Sequence, residues 1–142
     1  MKKILFLIVL LSFIGIGSTS AQSFTMNGND VVLTGSATVA CSLKVSNPYS
    51  TVTVQAVFTK TSGTLAGTAT LQGSVDGVSW ETVPVSLVAG AASTYTVTDV
   101  ASQAKSFVIT GSPFLHYKIS WTGTGTMVGT VAGFVLPRNY NK

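Results

Sequence analysis

The stretch TATLQGSVDGVSWETV, residues 68–83, reads as a β-hairpin folded about Asp76 and Gly77. An Asp-Gly pair between alternating runs is a strong short-range hairpin signal, because both central residues of a type I′ turn take φ > 0. With a two-residue loop, Val75 faces Val78, Gly73 faces Trp80 and Leu71 faces Thr82. Trp80 then lies across the bare backbone of Gly73, an aromatic-over-glycine arrangement that props up a weak strand position. Around this hairpin the sequence predicts a small, exported, all-β domain.

Upstream, the chain opens with a leader rather than with fold. Lys2 and Lys3 form a positive n-region, residues 4–16 an apolar h-region and residues 17–21 a small-residue cleavage region. That is the layout of a secretory signal peptide, with Thr19 and Ala21 before the cut and Gln22 as the mature N-terminus. A retained membrane anchor is the alternative, but the apolar run is shorter than the ~20 residues a spanning helix needs. The expected organisation is a signal peptide at 1–21, a β-sandwich domain at 22–136 and a polar tail at 137–142. The membrane is then met only in transit. The destination is periplasmic, cell-surface or extracellular.

The mature part has the size of one domain. Its six basic and four acidic side chains leave a net charge of +2. No block of like charge remains, so nucleic-acid binding has little electrostatic basis. Cys41 is the single cysteine and closes no internal disulfide. Such a domain relies on its packed core.

Further strands are legible by period-2 alternation. Residues 38–45 set Val39, Cys41, Leu43 and Val45 on one face, and residues 51–60 set Val52, Val54, Ala56 and Phe58 on one face. On 114–122, Leu115, Tyr117, Ile119 and Trp121 share a face opposite Phe114, His116, Lys118 and Ser120. Residues 105–110 and 114–122 read as a second strand pair joined by Gly111-Ser112-Pro113, and 123–125 as another hairpin-sized link. Residues 126–136 are apolar on both sides, which suggests a central strand or one covered by a partner. Shorter runs at 31–33 and 94–100 complete the set. No mature segment has a helical period. The fold class expected is an antiparallel β-sandwich, jelly-roll-like, in a single domain.

Catalysis needs convergent titratable groups, and few exist. His116 is the lone imidazole, no G-x-S-x-G elbow occurs, and the acids Asp30, Asp76, Glu81 and Asp99 sit on separate segments. Neither a zinc ligand set nor a phosphate-cradling loop is present. The Asn27-Gly28-Asn29-Asp30 oxygens match no EF-hand spacing and read as a loop. The expectation is therefore no enzyme, no cofactor and no metal. Binding and assembly remain, with Tyr49, Trp80 and Tyr140 as candidate contact aromatics.

Two resemblances enter at the hairpin. Ser74, Asp76, Gly77 and Trp80 form an S-x-D-G-x-x-W pattern similar to that of discoidin-like (galactose-binding-like) sandwiches and related carbohydrate-binding modules. Tyr117-Lys118-Ile119 looks like the strand that follows in that family. The resemblance implies ligand capture by loops at one end of a sandwich. The longer runs SGTLAGTATLQGSVDGVSWETV (62–83) and FLHYKISWTGTGTMVGTVAGFVLPR (114–138) resemble small β-sandwich structural proteins of bacteriophage virions. The Ser-Ala-Gln junction at 20–22 resembles that of exported proteins of Bacteroidetes-type bacteria. The first expectation is thus an exported structural protein, virion-type or surface, that packs against itself or other structural proteins. The alternative is an exported carbohydrate-binding module with a glycan as partner.

Overall fold

The computed structural model describes residues 31–34, 38–45, 49–124 and 126–139. The leader, the 27–30 loop, the turn at Pro48 and Tyr140 lie outside the described residues. So does the side chain of Cys41.

Alternating apolar runs build two antiparallel sheets. The first has the order β1 (Val31–Thr34), β9 (Val128–Arg138), β3 (Thr51–Ser62), β7 (Ser102–Thr110). The second runs β2 (Thr38–Lys44), β8 (His116–Gly123), β4 (Gly67–Ser74). Two short strands, β5 (Glu81–Thr82) and β6 (Thr94–Val97), share the free edge of β4. The outcome is the all-β antiparallel sandwich that the alternation predicts. The only helical turn among the described residues is a 3₁₀ turn at Val85–Leu87, and no described helix is long and apolar enough to cross a membrane.

The inward faces interdigitate as period-2 strands require. Val52, Val54, Ala56 and Phe58 of β3 and Tyr117, Ile119 and Trp121 of β8 are all buried, on the faces the pattern predicts. Phe58 and Trp121 meet across the sandwich with ring centroids 5.3 Å apart. Each such side chain contributes roughly 1.5–3 kcal/mol by leaving water. At one end of the sandwich, Asp99 accepts from Lys60 Nζ (2.7 Å) and Leu65 N (2.9 Å), tying the β3–β4 link to the turn after β6.

Several expected pairings are corrected. β7 and β8 do not form a hairpin. β7 pairs with β3 and β8 with β2 and β4, so Gly111-Ser112-Pro113 crosses between sheets. The link after β8 likewise crosses, because β9 pairs with β1 and β3. Nothing local in a turn sequence says whether the chain pairs back or steps to the facing layer. β9 is an interior strand, as its two-sided apolar pattern suggests, and it runs on through Pro137 and Arg138 opposite Val52 and Thr51.

The central hairpin is also corrected. Gln72 pairs with Thr82 and Gly73 with Glu81, one residue out of the register that a two-residue loop would impose. Gly77 has φ +78°, but Asp76 is not among the residues with positive φ, so the turn is not type I′. Gly73 does not lie under Trp80. A Cβ on Gly73 would run into the Phe114 ring, so Phe114, buried beneath β4, is the aromatic that covers it. Phe114 precedes β8, where the strand alternation has not yet begun, and so its side chain turns inward although its parity predicts the outer face.

Candidate functional site

The widened loop between β4 and β5 builds a hollow at one end of the second sheet. Ser74, at the end of β4, is buried and donates from Oγ to Asp76 Oδ1 at 2.8 Å. The same hydroxyl accepts from Gly77 N at 2.9 Å. Asp76 Oδ1 also accepts from the backbone N–H groups of Val78 and Ser79, each at 2.8 Å. A short side chain that hydrogen-bonds its own backbone two and three residues on makes an Asx-type turn. That turn explains the register, because Asp76 spends its carboxylate on closing a longer loop. The Ser79 and Val78 amides, and then the Ser74 hydroxyl, hold Asp76 far below the usual carboxylate range.

The loop displays two exposed valines, Val75 and Val78, and returns through Trp80. Trp80 is half-buried, and Lys118 Nζ stands 4.3 Å from its ring centroid. Lys118 projects from the outer face of β8, opposite Ser42 on one side and Gln72 on the other. Gly77 lies against the His116 imidazole, where an added Cβ would come within 3.1 Å of Cε1. The hollow, about 520 Å³, is lined by Ser74, Asp76, Ser79, Trp80, Glu81 and Phe114, with Val75 at its rim.

Of the expected contact aromatics, Trp80 lines this hollow; of the expected turn residues, Asp76 lines it and Gly77 shapes its loop. Tyr49 does not join them. It is half-buried against the hydrophobic core. Lys118, Glu81 and Phe114 were not legible as partners of Trp80. The alternation places Lys118 on a polar face, but only the β4–β8 register sets it beside the hairpin.

Asp76 is ionised far below neutral pH and its Oδ1 is already committed, so it is a poor proton donor. Among the described residues no group of three or more His, Cys, Asp or Glu can hold a metal ion. The hollow offers one indole ring, hydroxyl and carboxylate hydrogen-bonding groups, and a backbone pinned by four hydrogen bonds.

No family model matches the chain, and no curated protein matches it. A solved structure titled "Family 16 Carbohydrate Binding Module-2" is similar to it, with a TM-score of 0.42 and 13% identity over 75% of each chain.

Proposed function

We propose that this chain is an exported, non-catalytic glycan-binding domain whose site is the hollow beside Trp80. The observation that carries this reading is a half-exposed indole held over a rigid hydrogen-bonded loop, with hydroxyls and carboxylates around one concavity. An aromatic face packs against the C–H side of a sugar ring, and nearby polar groups orient its hydroxyls. The rigidity of the Asp76 loop lowers the ordering cost of binding. The resemblance to virion proteins rests on sequence texture and adds no residue to this site.

A glycan array probed with the chain exported from its full-length sequence tests the reading. Saturable binding that Trp80→Ala abolishes and Tyr49→Ala preserves supports it. An empty array, or binding indifferent to Trp80→Ala, rejects it.

A further inference from the structure

The outer face of the first sheet lies on the opposite layer from Trp80 and differs from the Thr- and Ser-lined outer face of the second in carrying Val57, Val108, Phe134 and Leu136. β3, flanked by β7 and β9, sets twelve outward side chains in four registered rows. The rows are Val108–Thr53–Leu136, Ser106–Gln55–Phe134, Ala104–Val57–Ala132 and Ser102–Thr59–Thr130. None of the twelve is charged. Charged side chains of the described residues sit elsewhere: Asp76, Glu81 and Lys118 around the hairpin, Lys60 and Asp99 paired at the sandwich end, Lys44 at the end of β2, and Lys105 on the other face of β7, over the Tyr95 and Phe107 rings. Arg138 stands one register step beyond the patch, at the end of β9. The polar groups inside it are short or already engaged, since Gln55 Nε2 donates to Ser106 Oγ at 3.0 Å. A hollow of about 290 Å³ opens between Thr53, Gln55, Ser106, Phe134 and Leu136.

We infer that this face is the contact surface of a symmetric dimer, closed by a second copy of the chain. A charge-free face meets its own image without like-charge repulsion, whereas a charged partner would leave its charges desolvated and unpaired. Under a two-fold axis through the patch, the two Arg138 side chains fall at opposite ends. The hollow beside Phe134 gives each copy a place for an apolar side chain of the other. Three strands at ~4.8 Å and seven residues at ~3.3 Å give a projected patch on the order of 350 Å². Two facing patches of that projected size cover on the order of 700 Å², below the standard size of specific interfaces. That size predicts a weak, concentration-dependent dimer.

Sedimentation velocity of the exported full-length product, from about 1 to about 500 µM, reads the outcome. The dimer is expected to form with a micromolar dissociation constant. Thr53→Lys and Phe134→Lys place like charges face to face and are expected to weaken it at least about tenfold. Thr68→Lys, on the outer face of the other sheet, leaves it unchanged. Far-ultraviolet circular dichroism checks that each variant folds, and Thr53→Lys replaces a strand residue whose side chain is directed outward. Glycan binding at Trp80 is retained in all three variants, so failure here is distinguishable from failure of the binding site. A chain that stays monomeric throughout overturns the inference and leaves the face to a different partner. So does a dimer that both face variants leave intact, or one that Thr68→Lys disrupts equally.

Discussion

Lys118 Nζ stands 4.3 Å from the centroid of the Trp80 ring, joining a strand of the second sheet to the loop that closes its edge. The ammonium sits where the ring quadrupole attracts it, and the contact holds the indole in one orientation at the mouth of the hollow. Removing it with Lys118→Met keeps the aliphatic stem but loses the charge. The expected cost is about 0.5–1 kcal/mol of stability, with a several-fold loss of glycan affinity. Urea unfolding and a binding titration check both, and unchanged affinity with unchanged stability contradicts the bracing role.

Gly77 has φ +78° with the His116 ring beneath it. A β-branched residue there is strained, so Gly77→Val is expected to destabilise by about 1–3 kcal/mol. Gly77→Asn, which tolerates the left-handed region better, loses less. The urea midpoints should rank parent, Asn, Val. Equal midpoints for parent and Val contradict the turn geometry.

Gly73 leaves room for Phe114, which Trp80 does not occupy. Gly73→Ala alone should lower stability by about 1–3 kcal/mol through overpacking. Phe114→Leu in the same chain should recover part of that loss, because neighbours sharing a space are not additive. A double-mutant cycle with no coupling contradicts the packing.

Asp76 has its folded pKa depressed below the ordinary 3.8, chiefly by the Ser79 and Val78 amides. As pH falls, the unfolded chain takes up that proton first. The stabilisation is therefore full above the unfolded pKa and is lost as pH drops through it toward the folded value. Asp99, depressed mainly by its hydrogen bond from Lys60, acts in the same direction. Asp76→Asn should flatten the acid limb of a stability–pH profile below about pH 4–5, and Asp76→Asn with Asp99→Asn should flatten it further. An acid limb unchanged in both variants rejects these assignments.

Much of the fold was written locally. The inward sets of β3 and β8 follow from alternation alone, because a half-buried strand must repeat every two residues. What alternation does not encode is which strands become neighbours. Gly111-Ser112-Pro113 has the composition of a hairpin turn yet passes between layers, a choice made by the packing of Phe107, Ile109 and Tyr117. At the hairpin, Gly77 takes a positive φ while Asp76 does not, and the turn type depends on where the carboxylate finds donors. Three of them, on Ser74, Val78 and Ser79, draw the loop out by one residue and turn Trp80 away from Gly73. The site is legible in its aromatic and its turn. Lys118 joins it only through register between segments far apart in sequence, and Glu81 through the shifted register of the hairpin itself.

For a glycan held at Trp80, the chain carries its own reporter. It has two tryptophans, of which Trp121 is fully buried and Trp80 half-exposed. The most direct measurement is acrylamide quenching of tryptophan fluorescence with and without the oligosaccharide that scores best on the array. Saturating oligosaccharide is expected to shield the quenchable fraction, and Trp80→Phe to remove that fraction at the outset. Quenching that is indifferent to bound oligosaccharide would place the ligand elsewhere than at Trp80.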